Sequence, residues 1–168
     1  SSERLKNLVE KYSQPGRGAI FDEAYEFYND PEPMSAISYV KDIDSTDIFV
    51  VGAATKGLQV PGMRVGWVIA AEKHIELFRN YSSFGMGGIS RPSQLYVTEL
   101  LERNRVAKAR RAVCDFYKSQ RERYQEGLQD LGFKLFTGCG GFYHWGLLPN
   151  NLTADEFNER LFKHDAGI

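Results

Sequence analysis

Residues 53–66 read Ala53-Ala54-Thr55-Lys56-Gly57-Leu58-Gln59-Val60-Pro61-Gly62-Met63-Arg64-Val65-Gly66 and directly follow the apolar run of residues 48–52. That run predicts a buried strand, which places Lys56 in a loop at the strand's C-terminal end. A lysine held there is partly desolvated, which favours the neutral amine and allows it to attack a carbonyl carbon. Taken alone, Lys56 also fits the commoner case of a surface lysine on a glycine loop.

A second charged residue of the same loop, Arg64, follows Lys56 by eight positions. Its planar guanidinium is a donor fork that suits a phosphate group. Gly62 and Gly66 leave room for the backbone to pass close to a ligand. By itself, Arg64 also fits an ordinary salt bridge, so the pair needs a third partner before it indicates a site.

Asp22 is the third partner, and it ends another short apolar run, Ala19-Ile20-Phe21. A carboxylate at the end of a buried strand is costly unless it pairs with a cation or accepts strong hydrogen bonds. A protonated pyridine nitrogen meets that need, and the ion pair keeps the ring an electron sink. Tyr25 lies three positions on and is placed to reach a phenolic oxygen of such a ring. The alternative, in which Asp22 caps a helix, stays open.

The order of predicted elements favours an α/β fold. We predict strands at 19–22, 48–52 and 63–71, and helices at 3–12, 72–80, 92–103 and 105–131. Two of the strands deliver polar residues at their C-terminal ends, where open α/β sheets bind ligands. We therefore expect a mostly parallel sheet flanked by helices.

The pattern changes after Gly132, a typical helix stop. Residues 133–136 and 142–147 predict paired strands around a glycine-rich turn, and Thr153 caps a last helix. We expect a domain boundary within or at the end of the long helix, which divides the chain into a part of 1–131 and a small α+β part of 132–168.

Composition and charge narrow the class of protein. The 168 residues carry a formal net charge of -1, so no long-range field indicates nucleic acid or an anionic membrane surface as a partner. The two cysteines lack a CxxC spacing and the histidines lack ligand spacing, which favours a cytoplasmic protein without a metal site. Five basic residues are spread around a predicted helix, as on a solvated face: Arg103, Arg105, Lys108, Arg110 and Arg111.

Three motifs together resemble the fold-type I, class I and II aminotransferases, which depend on pyridoxal phosphate. In order, they are Phe21-Asp22-Glu23-Ala24-Tyr25, then Thr55-Lys56, then Pro61-Gly62-Met63-Arg64-Val65-Gly66. A weaker similarity lies in Gly140-Gly141-Phe142-Tyr143-His144-Trp145, which is similar to an early strand of the family's small domain.

The resemblance implies a role for each motif residue. Lys56 would be the catalytic residue that holds pyridoxal phosphate as a Schiff base and moves the substrate proton. Asp22 would pair with the pyridine nitrogen, and Tyr25 would bond the ring oxygen. Arg64 would bind the phosphate, and Thr55 would complete the cofactor-binding set. Ala53 departs from the family, which often carries a hydroxyl residue at that position.

The resemblance implies a partial chain, comprising the C-terminal part of the cofactor-binding large domain and the start of the small domain. The implied function is amino-group transfer between an amino acid and a 2-oxo acid, in a homodimer without nucleic-acid or membrane partners. Other outcomes of the same cofactor, such as elimination or decarboxylation, remain open at this stage. A non-catalytic fragment or ligand-sensing module is the alternative of a different class.

Overall fold

The computed structural model describes residues 2–29, 34–85 and 87–164. Its helices and strands are α1 (Ser2–Tyr12), β1 (Gly18–Asp22), β2 (Asp47–Ala53), α2 (Ala54–Gly57), β3 (Gly66–Ile69), α3 (Glu72–Gly85), α4 (Arg91–Leu100), α5 (Arg103–Asp130), β4 (Lys134–Leu135), β5 (Gly146–Leu147) and α6 (Ala154–Lys163). The chain forms two compact units, residues 1–114 and 115–168. The predicted division into 1–131 and 132–168 concerns the domains of the whole protein and stays a prediction.

The first unit contains a three-stranded sheet in the order β1-β2-β3. β1 and β2 are parallel, with Asp22 opposite Val51. β3 runs antiparallel to β2, with Gly66 opposite Ala53, so the described sheet is mixed rather than mostly parallel. The reason is that residues 54–65 turn back at the end of β2 instead of crossing the sheet, as a parallel connection requires.

The core of this unit lies between the sheet and α1. Burial alternates along β2, with Ile48 and Val50 buried against Val9 and Ala36. The other face of β2 is covered in part by α3, where the ring of Phe49 lies 5.7 Å from that of Phe78. β2 is therefore buried on one face and half-buried on the other, whereas its continuous apolar sequence predicted full burial on both faces.

Helix boundaries differ from the sequence expectation by a few residues. α3 continues to Gly85, and α5 begins at Arg103, which was predicted to end the preceding helix. The Glu102 carboxylate accepts hydrogen bonds from the backbone N–H groups of Asn104 and Arg105, so it caps α5. Gly132 has a φ of 86°, and its N–H bonds a carbonyl of the last turn of α5, as predicted for a helix stop.

The second unit contains the C-terminal part of α5, the antiparallel pair β4–β5 and α6. Both strands are shorter than predicted. Buried Arg121 of α5 donates to the carbonyls of Cys139 and Gly141, which fixes the glycine-rich loop between the strands. Thr153 begins α6 with a complete capping box, as predicted. In the described part of the chain, no helix is long and apolar enough to cross a membrane.

Candidate functional site

Lys56 lies in α2, the single helical turn that follows β2. Ala54, the first residue of this turn, is fully buried, and its N–H donates to the carbonyl of Val65 at 3.1 Å. This bond closes the loop of residues 54–65 at its base. Lys56 and Arg64 are therefore held in one loop at one end of the sheet.

The Lys56 side chain is half-buried and contacts the segment that follows β1. Its Nζ lies 5.7 Å from the centre of the Tyr25 ring, within the range of a cation–π contact. Its carbonyl accepts a hydrogen bond from the Tyr28 hydroxyl at 3.3 Å. The amine and the carbonyl of Lys56 are thus contacted by residues about thirty positions earlier in the chain. The parallel pairing of β1 and β2 brings these two segments together.

Asp22 is the last residue of β1 and is exposed at the same end of the sheet. One carboxylate oxygen accepts the backbone N–H of Ala24 at 3.0 Å, which forms a local turn. The helical turn that follows begins only at Glu26, so Asp22 does not cap a helix. A carboxylate accepts about four hydrogen bonds, which leaves capacity for a cationic partner.

Arg64 precedes β3 and is exposed, with a left-handed backbone at φ 53°. That conformation is uncommon outside glycine and marks a position held by its surroundings. Its Nη1 donates to the carbonyl of Pro61 at 2.9 Å, which orients the guanidinium along its own loop. Since a guanidinium has five N–H donors, this bond leaves donors for a phosphate.

Thr55 lies between Ala54 and Lys56 in α2 and is half-buried. The five predicted residues therefore lie where β1 and β2 end and where β3 begins. The described contacts join Tyr25 to Lys56 directly, whereas Asp22, Thr55 and Arg64 are placed beside them by strand register and by the closed loop.

Comparison with known protein families identifies the family of this chain. The family model described as aminotransferase class I and II matches residues 1–168. The chain belongs to this family. Class I and II aminotransferases use pyridoxal phosphate, so the family and the cofactor predicted from the sequence are confirmed.

Curated relatives support the aminotransferase assignment at moderate identity. LL-diaminopimelate aminotransferase of Natranaerobius thermophilus is 28% identical, over 83% of this chain and 36% of its own length. Histidinol-phosphate aminotransferase 2 of Gluconobacter oxydans is 30% identical, over 83% of this chain and 37% of its own length. The chain thus spans less than half the length of the curated relatives that it matches.

Solved structures confirm the fold-type I prediction. The aromatic aminotransferase of Pyrococcus horikoshii OT3 aligns with a TM-score of 0.84 at 22% identity, covering 97% of this chain and 44% of that one. A Thermus thermophilus aspartate aminotransferase double mutant aligns with a TM-score of 0.77 at 21% identity, covering 88% and 38%. At these identities the likeness shows the fold alone.

The residues of this chain fit the chemistry of pyridoxal phosphate. Asp22 offers an exposed carboxylate for a pyridinium N–H, Lys56 offers an amine for an aldehyde, and Arg64 offers an exposed guanidinium for a phosphate. Gly62 is also open, because a Cβ built on it meets no atom within 4 Å. Space and donor types at this end of the sheet are therefore compatible with the cofactor.

Sequence reasoning missed the contact between Arg110 and the segment after β1. Arg110 was predicted to lie on a solvated basic face, and this prediction is wrong for that residue. Its Nη2 lies 3.1 Å from a Glu26 carboxylate oxygen, and its guanidinium carbon lies 5.0 Å from the Phe27 ring centre. No local pattern links residues more than eighty positions apart, so only the folded chain reveals this contact.

Two of the described histidines, His74 and His144, have structural partners. His74 Nε2 lies 2.7 Å from the Asp47 carboxylate, and His144 Nδ1 lies 3.2 Å from the Thr137 hydroxyl. Within the ranges that the structure describes, no cluster of three His, Cys, Asp or Glu side chains could hold a metal ion.

Proposed function

We propose that this chain binds pyridoxal phosphate through Lys56, Asp22, Tyr25, Thr55 and Arg64. We further propose that the whole protein transfers an amino group between an amino acid and a 2-oxo acid. The observation that carries the proposal is the placement of Lys56 in a closed loop at the C-terminal ends of β1 and β2, with its amine over the Tyr25 ring. Family membership supports the same chemistry.

The amine of Lys56 does the chemical work in this proposal. Pyridoxal phosphate, when bound, supplies an aldehyde that takes the substrate amine and a ring that withdraws electrons from the substrate Cα. Lys56 Nζ first holds the cofactor and then accepts the proton that leaves the substrate Cα.

The other four residues bind and orient. The Asp22 carboxylate holds the proton of the pyridine nitrogen, and the resulting charge pair preserves the ring's electron demand. The Tyr25 hydroxyl donates to the ring oxygen, and its ring face limits where Lys56 Nζ can move. Arg64 binds phosphate through its donor fork, and Thr55 adds a hydroxyl donor from the turn that carries the lysine.

Substrate and assembly follow from the family rather than from the described side chains. We propose an amino acid and a 2-oxo acid as substrates, a cytoplasmic location and a homodimeric assembly. The absence of a strong net charge supports small-molecule partners over nucleic acid. Two relatives are named for LL-diaminopimelate and histidinol phosphate, and neither name is carried over to this chain.

The decisive experiment is covalent trapping of the cofactor. The chain is mixed with pyridoxal phosphate, its imine absorption is recorded, and the adduct is reduced with borohydride and located by peptide mass mapping. We expect the label on Lys56 and its loss in Lys56→Ala. Lys41→Ala, which removes an exposed lysine elsewhere, serves as the matched control and should retain the label.

Two outcomes would contradict the proposal. Absence of an imine band in the folded chain would contradict the proposal that this chain binds the cofactor. The whole protein is also assayed for amino transfer from a panel of amino acids to a 2-oxo acid. If Lys56 is labelled but no transfer occurs, cofactor binding is supported and the proposed transferase activity is contradicted.

A further inference from the structure

The short helical turn of Glu26–Tyr28, called here the 26–28 turn, packs directly on the loop that carries the lysine. The Phe27 ring lies against Gly57 so closely that a Cβ on that glycine would come within 2.7 Å of the ring. The Tyr28 hydroxyl bonds the carbonyl of Lys56 at 3.3 Å. Any movement of this turn therefore moves the backbone on either side of the Lys56 carbonyl.

The 26–28 turn cannot hold this position by itself. It has three residues, and no side chain caps its N-terminus. A single turn of 3₁₀-helix has poor hydrogen-bond geometry and too few bonds to be stable in isolation. Its position must come from tertiary contacts, which the lysine loop and α5 both make with it.

Two residues of α5, one helical turn apart, contact the segment that contains the turn. Arg110 Nη2 lies 3.1 Å from a Glu26 carboxylate oxygen, and the guanidinium carbon lies 5.0 Å from the centre of the Phe27 ring. The Cys114 thiol donates to the carbonyl of Asn29 at 3.2 Å. Because residues four apart lie on one helix face, α5 contacts this segment at two adjacent points.

The pair of Arg110 and Glu26 is half-buried, more on the side of the glutamate. The Glu26 side chain is only 19% exposed and that of Arg110 is 38% exposed. Burial raises the pKa of Glu26, while the charge of Arg110 opposes that rise. Without Arg110, a half-buried carboxylate would remain beside Phe27 with its charge uncompensated, so we expect the turn to shift and expose it to water.

Arginine suits both contacts at once. Its planar guanidinium can pair with a carboxylate in its plane and stack on an aromatic ring with its face. A lysine at the same position would keep the positive charge but lose the planar stacking. The two contacts on Glu26 and Phe27 therefore explain why an arginine occupies this position of α5.

We propose that Arg110 is a positioning residue for Lys56, because it holds the 26–28 turn against the lysine loop through Glu26 and Phe27. This inference rests on the proposed role of Lys56 in holding pyridoxal phosphate. Arg110 itself touches neither the lysine nor, in this proposal, the cofactor. Its effect is on the position of the Lys56 amine when that amine reacts with a carbonyl carbon.

The test compares Arg110→Gln and Arg110→Lys with Arg111→Gln, which removes an exposed arginine at the next position. For each protein, the Kd of pyridoxal phosphate is measured from the imine absorption, and amide hydrogen exchange is measured at Leu58 and Gln59. Both of these N–H groups bond carbonyls within the lysine loop, to Ala54 and Lys56 respectively. Exchange at these sites reports on the loop without any cofactor.

We expect Arg110→Gln to weaken cofactor binding by about tenfold, because the apparent affinity falls with the fraction of the chain whose lysine loop is correctly placed, and to accelerate exchange at both amides. Arg110→Lys should fall between that variant and the wild type, and Arg111→Gln should match the wild type. If Arg110→Gln does not fold, Glu26→Gln replaces it. That variant removes the ion pair without leaving a buried charge, and its effects should have the same direction.

Each remaining outcome has a distinct meaning. If the wild-type chain shows no label on Lys56, both the proposed function and this inference are contradicted. A labelled wild type together with a folded Arg110→Gln that keeps the wild-type Kd and exchange rates would overturn the positioning role alone. A lower Tm with an unchanged Kd would assign Arg110 to stability only and would overturn the proposal equally.

Discussion

Gly57, next to the lysine, is the residue on which packing in the loop depends most directly. A Cβ at this position would lie 2.7–2.9 Å from three ring carbons of Phe27. Real Cβ atoms do not approach other atoms so closely, and Phe27 is itself buried. The glycine is therefore required by the close approach of two segments rather than by a special backbone conformation.

Gly57→Ala is accordingly expected to destabilise the chain by about 1–3 kcal/mol, the usual cost of overpacking a tight contact. The better helix propensity of alanine offsets at most about 1 kcal/mol of this. The free energy of unfolding, measured by urea denaturation, checks the prediction.

Gly62→Ala is the matched control in the same loop, because a Cβ there meets no atom within 4 Å. Its free energy of unfolding should lie within about 0.5 kcal/mol of the wild type, as for most open surface positions. Equal effects of the two substitutions would contradict the packing argument.

At the scale of elements, β2 and α3 are joined by a polar contact at the start of the strand. Asp47 is the first residue of β2, and one of its carboxylate oxygens lies 2.9 Å from Lys73 Nζ and 2.7 Å from His74 Nε2. His74 also packs its ring 4.8 Å from that of Phe49. The helix is thus fixed to the strand by charge at one residue and by ring packing two residues later.

The hydrogen bonds from Lys73 and His74 lower the pKa of Asp47 below its ordinary value of 3.8. Since the folded-state pKa lies below that of the unfolded chain, the contact stabilises the fold at neutral pH. This contribution is lost as the pH falls through the folded-state pKa, below about 4.

We therefore expect Asp47→Asn to be less stable than the wild type at pH 7, with the difference shrinking as the pH falls from about 5 to about 3. Urea denaturation at a series of pH values measures it. Asp130→Asn, at the exposed end of α5, is the control and should run parallel to the wild type. A difference for Asp47→Asn that does not vary with pH would show that the carboxylate charge is not involved.

At the scale of the whole molecule, β1 is an edge strand of the described sheet. Its central residue, Ile20, is 73% exposed, so an apolar side chain and an open row of backbone groups occur together. Such edges pair readily with another chain unless a charge or a covering element blocks them. The exposed edge therefore predicts self-association of the chain at high concentration.

Ile20→Lys is expected to reduce self-association of the chain at high concentration, because a charge on an edge strand opposes pairing. Light scattering or sedimentation velocity measures it. Leu131→Lys is the control, since Leu131 is similarly exposed at 69% but follows a helix. A wild type that remains monomeric at high concentration would contradict the prediction.

Local sequence pattern was sufficient to predict β1, β2 and the start of α6, and to propose the residues of the site. The apolar runs before Asp22 and Lys56 predicted β1 and β2, and Thr153 predicted the start of α6. These signals lie within a few residues of the feature that they predict, because strand propensity and helix capping are local. The burial predicted for β1 was wrong, since Ile20 and Asp22 are exposed. The start of α5 was predicted less well, since its cap is Glu102, an unusual residue type for that role.

The sequence by itself determined the family and the order of the motifs around Asp22, Lys56 and Arg64. Only the tertiary structure decided the antiparallel course of β3 and the contact of Arg110 with the 26–28 turn. The physical reason is the range of the interactions. Strand direction depends on how the 54–65 loop turns, and Arg110 meets Glu26 across more than eighty residues, so neither leaves a periodic trace in the chain.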